Sequence, residues 1–346
     1  MNRVAARLSA LRLAPDGRPR PEAPFGRGPL AAKVLRVALE SGTAIGSRLR
    51  PATAQGLAVA GGTVEWAVRP RKRRTLAENL AHALELPPSD PRVRRLVRQE
   101  VLNEARRSAD LLWALGKPDE LVRTTVVEGA EHAYDALARG NGVLLVSAHL
   151  GGWEVATALP RALVPVRTTA IVTDDWIAWA ADAARARAGI GRLYDSEPVA
   201  HAARKLRDGE AVLVLADYAK SSMRTYPVRL LDAVAELPAG VVTLARLCGA
   251  PIVPFAVLPL GPRRWRVVVE PALLPPPRRS RRTGDHELLQ RLADRWTAQL
   301  REHPEHWAAV YPIAWTPAEA GVVGSEPAAP AEQRELHDGR SDDQAQ

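Results

Sequence analysis

Between residues 142 and 269 the chain repeats one pattern, and that pattern limits the folds open to it. Gly142-Val-Leu-Leu-Val-Ser-Ala148 is a short apolar run rich in β-branched residues, led in by a Gly-Asn-Gly turn. Comparable runs follow at 168–173, 211–216, 252–258 and 265–269, and stretches with helical spacing stand between them at 153–162, 177–188, 198–207 and 240–248. Short runs that are apolar at every position suit strands covered on both faces, as parallel strands are. Strands of this kind alternating with helices predict an α/β fold with a mostly parallel central sheet flanked by helices, over residues 116–315.

The N-terminal part reads differently. Residues 1–28 are rich in Pro, Gly and Arg and are expected to be poorly ordered. Residues 29–115 are helical in pattern. A first amphipathic stretch runs over 29–68, broken near Pro51, and a second over 75–86. A third, over 91–115, carries Val93, Leu96, Val97, Val101, Ala105, Ala109 and Leu112 at spacings of three and four. Asp90 is placed to cap that helix, with Pro91 in its first turn. Residues 316–346, rich in Ala, Pro, Glu and Gly, are expected to be disordered.

Composition narrows the chemistry. One cysteine, Cys248, excludes an intrachain disulfide and any cysteine-built metal site, and the expected place for it is the core. The formal charge is +9, unevenly spread: after Trp315 seven acids face two arginines, so the preceding residues carry +14. A body that basic attracts an anionic partner, whether nucleic acid, a membrane face or a phosphorylated substrate. Arg69, Arg71, Lys72, Arg73 and Arg74 directly follow an apolar helical stretch, which favours an anionic lipid surface over a merely solvated run. No stretch approaches the ~20 apolar residues needed to cross a bilayer, so a peripheral membrane position is expected of residues 29–115.

The segment richest in chemistry is Val146-Ser-Ala-His149-Leu-Gly151-Gly152-Trp153-Glu154. A strand ends, a histidine follows, two glycines permit a tight turn and a helix begins. In open α/β sheets ligands bind outside the carboxyl ends of strands. An imidazole there can take the proton of a hydroxyl as it attacks, and a carboxylate on its other nitrogen fixes the tautomer and stabilises the imidazolium. Glu154 is the expected partner, because the Gly-Gly turn can fold it back toward His149. Backbone N–H groups of Gly151 and Gly152 are candidates to stabilise an oxyanion. A structural, hydrogen-bonded histidine is the competing reading.

These residues resemble a known family. His149-Leu-Gly-Gly-Trp-Glu154 is similar to the His-x4-Asp/Glu signature of the lysophospholipid acyltransferase superfamily. The likeness is greatest to the branch of lipid A lauroyl/myristoyl acyltransferases and phosphatidylinositol mannoside acyltransferases. Arg73-Arg74 with Glu78-Asn79-Leu80, then Asn103, Arg106 and Leu111-Leu112-Trp113, resemble the branch's N-terminal motifs. Val127-Glu128-Gly129, Leu237-Pro238-Ala239-Gly240, Gly249-Ala250-Pro251 and Pro304-x-x-Trp307 with Trp315 resemble later ones. The resemblance implies a glycerolipid acyltransferase-like fold and a peripheral enzyme at the cytoplasmic face of the bacterial membrane. It implies acyl-CoA or an acyl carrier protein as co-substrate, a glycolipid acceptor and no further cofactor or metal. It makes His149 the base and Glu154 its partner, and it places Gly151, Gly152, Trp153 and a basic residue, Arg187 or Arg192, toward substrate.

Asp217, at the end of the 211–216 run, matches the place of a second acid in the branch. The following Tyr218-Ala219-Lys220 departs from the branch's pattern, which leaves Asp217 open as a support for His149, a contact for an acceptor hydroxyl, or a turn residue. Trp307, Tyr311 and Trp315 are expected to anchor a C-terminal helix or to sit at a lipid interface, and His303 and His306 to be structural or surface residues. Two other functions stay in view: a non-catalytic binder of anionic surfaces, and a (thio)esterase on the same fold. Nucleic acid is not the expected partner, since no helix-turn-helix or aromatic RNA platform is evident.

Overall fold

The computed structural model describes residues 29–156, 164–172, 185–186, 189–277, 279 and 281–318. The expectations for 1–28 and 319–346, and for most of 157–188, lie outside these residues.

The chain opens with helices α1 (Pro29–Gly46), α2 (Pro51–Val68), α3 (Pro70–Leu84) and α4 (Pro91–Gly116), and Pro stands at the start of each. Proline suits that position, since its missing N–H would have no partner in a first turn. Asp90 caps α4 by accepting from the Arg92 N–H at 2.7 Å. Small residues let α2 lie close on α4: a Cβ added at Gly62 would stand 2.9 Å from the Ala105 Cβ. Asp110 of α4 accepts from Gln55 of α2 at 3.0 Å and from the Arg263 N–H at 2.9 Å, joining the helices to a hairpin of the sheet.

Helix α5 (Pro118–Thr124) leads into β1 (Thr125–Glu128), α6 (Ala130–Leu137) and β2 (Val143–Ser147). Helix α7 (Trp153–Ala156) follows, then β3 (Thr168–Val172), β4 (Ile190–Tyr194), α8 (Val199–Arg207) and β5 (Ala211–Leu215). A hairpin, β6 (Thr225–Leu230) and β7 (Ala233–Pro238), precedes α9 (Gly240–Cys248), and β8 (Ile252–Gly261) pairs with β9 (Arg264–Val269). Helix α10 (Arg281–Glu302), a 3₁₀ turn (Pro304–His306) and β10 (Trp315–Pro317) complete the described chain.

The main sheet has seven strands in the order β1-β9-β8-β2-β5-β3-β4, parallel at every pairing except β8 with β9. A second, antiparallel sheet has the order β10-β7-β6. The α/β architecture expected from the sequence is therefore present, with one antiparallel pair.

Strand β2 shows why the central run is apolar throughout. Leu144 and Val146 point into a core shared with Leu76 and Leu80 of α3, Val93 and Val97 of α4, and Trp296 of α10. Val143 and Leu145 point into the opposite core with Trp113, Phe255 and Trp265. Successive side chains alternate between faces, and both faces are covered. Helices α3 and α4 thus share the sheet's own core and do not form a separate appendage. Cys248 is buried, as expected.

The sequence pattern did not mark β4, the β6–β7 hairpin or β10. Residues 303–317 are also not α-helical: after α10 and the 3₁₀ turn at Pro304–His306 the chain forms an extended strap across the carboxyl ends of the central strands, and Trp307 and Trp315 belong to that strap.

Candidate active site

Strands β2 and β5 are parallel neighbours with Val143 opposite Ala211 and Ser147 opposite Leu215. Two residues beyond each strand end stand His149 and Asp217. The register that pairs the strands carries past their ends and brings these two side chains together: His149 Nδ1 lies 2.5 Å from Asp217 Oδ1. Both are buried, with His149 at 7% exposure and Asp217 at 2%. Among the described residues nothing hydrogen-bonds His149 Nε2.

The second oxygen of Asp217 is also engaged, accepting from the Trp307 indole N–H at 2.9 Å. Burial by itself would raise the Asp217 carboxyl. The opposing charge and hydrogen bond of His149, together with the Trp307 donor, outweigh burial and hold it below the ordinary carboxylate value. A buried carboxylate with both oxygens bonded and an imidazole beside it is a stable place for negative charge.

The glycines of the turn do a different job from the one expected. Gly151 N–H donates to the His306 carbonyl at 2.8 Å and Gly152 N–H to the Val257 carbonyl at 2.6 Å. Neither is left to stabilise an oxyanion, because the turn is pressed against β8 and the strap. The same contact explains the residue type. Gly151 has φ +66°, and a Cβ on it would stand 1.9 Å from the Val257 carbonyl oxygen; a Cβ on Gly152 would stand 2.4 Å from the Trp265 ring. Only glycine lets the backbone approach this closely.

Aromatic rings surround the imidazole. Trp153 meets it edge-on with ring centres 5.0 Å apart, and Tyr218 and Tyr311 lie at 5.3 and 5.7 Å, stacked on each other at 4.0 Å. Beyond Tyr218, Lys220 pairs with Asp195 at 2.6 Å, linking the carboxyl ends of β5 and β4.

The strap is fixed to the helices by side chains that the sequence had marked without assigning them a purpose. Asn79 of α3 donates to the Ala309 and Tyr311 carbonyls, both at 2.8 Å, and accepts from the Trp315 indole at 2.9 Å. Asn103 of α4 donates to the Glu305 carbonyl at 2.8 Å and accepts from Arg106 at the same distance. Below them Arg107 and Glu100 form a buried ion pair at 2.7 Å.

The expected site residues therefore divide. His149, Asp217 and Trp153 come together. Asp217 occupies Nδ1, the position expected for Glu154; Glu154 lies in α7, and its side chain is outside the described residues. Arg187 is also outside them. Arg192 sits on β4 with its guanidinium 4.3 Å above the Tyr194 ring. Trp307 was expected as an anchor or at a lipid interface; its Pro-x-x-Trp setting was the available signal for a place beside Asp217. Two concavities, of about 650 and 550 Å³, are lined by Arg229, His286 and Gln290 and by Trp66, Arg73, Arg74 and Arg94 respectively, and neither is lined by His149. Among the described residues no group of three or more His, Cys, Asp or Glu is placed to hold a metal ion.

A mostly parallel sheet carries a carboxylate-paired histidine at its carboxyl rim, within a His-x4-Glu segment, an arrangement suited to acyl transfer. Residues 47–312 match the model of the bacterial lipid A biosynthesis acyltransferase family, and the chain belongs to that family. Its reaction is thus O-acyl transfer, with an acyl donor and a lipid acceptor as substrates. Among solved structures, the 1-acyl-sn-glycerophosphate acyltransferase PlsC of Thermotoga maritima is similar at 12% identity and a TM-score of 0.35, covering 74% of this chain and 98% of that one. No curated protein sequence matches the chain.

Proposed function

We propose that this enzyme moves a fatty acyl group from a thioester, acyl-CoA or acyl carrier protein, to a hydroxyl of a glycolipid at the cytoplasmic face of the bacterial membrane, with His149 as general base. The observation that carries the reading is the His149–Asp217 pair at the sheet's carboxyl rim. His149 Nε2 takes the proton of the acceptor hydroxyl as its oxygen attacks the thioester carbonyl. Asp217 holds the other ring nitrogen and stabilises the imidazolium. The tetrahedral intermediate collapses with cleavage of the C–S bond, and the imidazolium returns the proton to the departing thiolate, giving ester and thiol. A positioned base of this kind contributes about 10²–10⁴-fold. Glu154 is the acid of the signature turn, Trp153 lines the base, and Arg187 and Arg192 are the basic candidates for an anionic acceptor.

Membrane association is supported by the surface of the N-terminal helices. Val34, Val37 and Ile45 of α1 and Leu57, Val64 and Val68 of α2 are exposed, and exposed Arg69, Arg71 and Arg74 follow directly. An apolar face edged by arginine suits an anionic lipid surface. Among the described residues no helix is long and apolar enough to cross a membrane.

The test uses palmitoyl-CoA as donor and octyl glucoside as acceptor, following thiol release and acylated product in native protein and in His149→Ala. Transfer falls by at least 10²-fold in the variant; undiminished transfer removes the mechanism. Free palmitate dominating in abundant acceptor would make the protein a thioesterase instead. Mass comparison of lipid extracts from a deletion strain identifies the acceptor as the species that loses one acyl chain.

A further inference from the structure

The strap touches both members of the pair. Ala308 N–H donates to the His149 carbonyl at 2.8 Å, and the His306 carbonyl accepts from Gly151 N–H, so residues 306–308 run antiparallel to 149–151. Between these two backbone bonds the fully buried Trp307 turns its indole N–H onto Asp217 Oδ2. The same three-residue segment thus holds the histidine by its backbone and the carboxylate by its side chain. Asn103 and Asn79 pin the strap on either side of this contact.

Resting on the reading of His149 as base, we propose that Trp307 is a positioning residue of the reaction: its indole N–H fixes the rotamer of Asp217 and so the orientation of the His149 ring. Asp217 Oδ1 faces the imidazole and Oδ2 faces the indole, so one donor determines which oxygen is left for the ring. Without it the carboxylate is free to turn about its side-chain bonds, and the oxygen that faces His149 is no longer fixed. Trp307 touches neither donor nor acceptor in this scheme; it acts through Asp217. It also explains why a large ring carrying a donor stands here. A phenyl ring would fill most of the same volume but leave a buried carboxylate oxygen unpaired.

The experiment compares native protein, Trp307→Phe, Asp217→Ala and His149→Ala with palmitoyl-CoA and octyl glucoside, measuring kcat and KM from pH 5 to 9. In Trp307→Phe, kcat falls about 10- to 100-fold, the scale of one hydrogen bond to a charged group, while KM for palmitoyl-CoA changes little. Trp307→His, which keeps a ring N–H, recovers part of kcat. Native kcat in folded Trp307→Phe overturns the proposal; a loss confined to KM or to folded fraction overturns it as well.

Should Trp307→Phe not fold, ¹⁵N-tryptophan NMR on native protein and Asp217→Asn decides. The Trp307 indole proton resonates downfield and moves upfield in the variant if it donates to the carboxylate, and the absence of that shift counts against the bond. Failure of the underlying reading is separate: it shows as retained transfer in His149→Ala and Asp217→Ala.

Discussion

Replacing Asp217 with Asn isolates the electrostatic part of the site, since shape and volume are nearly kept while the charge is lost. In the native protein the carboxylate lies 2.5 Å from His149 Nδ1 and is almost wholly buried. With charge centres about 4 Å apart and an effective dielectric of about 20, the attraction between carboxylate and imidazolium is about 4 kcal/mol. In the proposed mechanism the imidazolium forms as the acceptor proton moves, so this energy lowers the barrier. At 1.36 kcal/mol per decade, kcat falls by about 10³-fold in Asp217→Asn. Stopped assays with palmitoyl-CoA and octyl glucoside read this directly, with KM for the thioester little changed.

A stability measurement separates the charge from misfolding. The Asp217 carboxyl is held below its ordinary value of 3.8 in the folded protein. A depressed carboxyl stabilises the fold above its unfolded value, and that contribution is lost as pH falls through the lower folded value. The stability difference between native protein and variant in urea therefore shrinks as pH falls below about 4. A variant that keeps native kcat while remaining folded would refute the electrostatic account.

Three further outcomes follow from the geometry. Gly151→Ala meets the Val257 carbonyl and adopts φ +66°, so it loses about 3–5 kcal/mol and roughly 6 °C in Tm by differential scanning fluorimetry. Burial, aided by Arg107, His303 and Arg106 against the opposing charge of Glu305, lowers His306 to about 4 from 6.5. Above pH 6.5 it is neutral in both states; between about 6.5 and 4 only the unfolded chain takes the proton, so stability falls there by about 1–2 kcal/mol after allowance for solvent access. His306→Gln flattens that slope in urea titrations at pH 7, 5.5 and 4.5. Leu57→Ser with Val64→Ser and Arg74→Glu lowers cosedimentation with phosphatidylglycerol vesicles at least tenfold and leaves the palmitoyl-CoA and octyl glucoside rate in detergent within about twofold.

Much of the fold was legible because its determinants are local. The apolar run at β2 had to be covered on both faces, and α4 announced itself through Asp90, Pro91 and the spacing of Val93, Val97 and Val101. The hairpin of β6 and β7 and the strand β10 were not legible. Strand β6 does alternate, with Tyr226, Val228 and Leu230 buried, but Pro227 in its middle argues against a strand; β7 shows no alternation, and β10 exists only because β7 offers it an edge.

His149 could be found from sequence because a histidine followed by two glycines at the end of an apolar run is a local signal. Its partner could not. Glu154 was five residues away and Asp217 sixty-eight, and chain distance favoured the nearer acid. What selected Asp217 was the pairing of β2 with β5 and its register, set by the packing of both strands into two cores. The glycines were recognised while their purpose was misassigned, because only the folded turn shows that both N–H groups are already bonded. The sequence alone determined the layers, the basic body ahead of the acidic tail and the candidate histidine. Tertiary structure decided which carboxylate faces that histidine, and that a strap from the far C-terminal end holds it there, since neither follows until distant strands lie side by side.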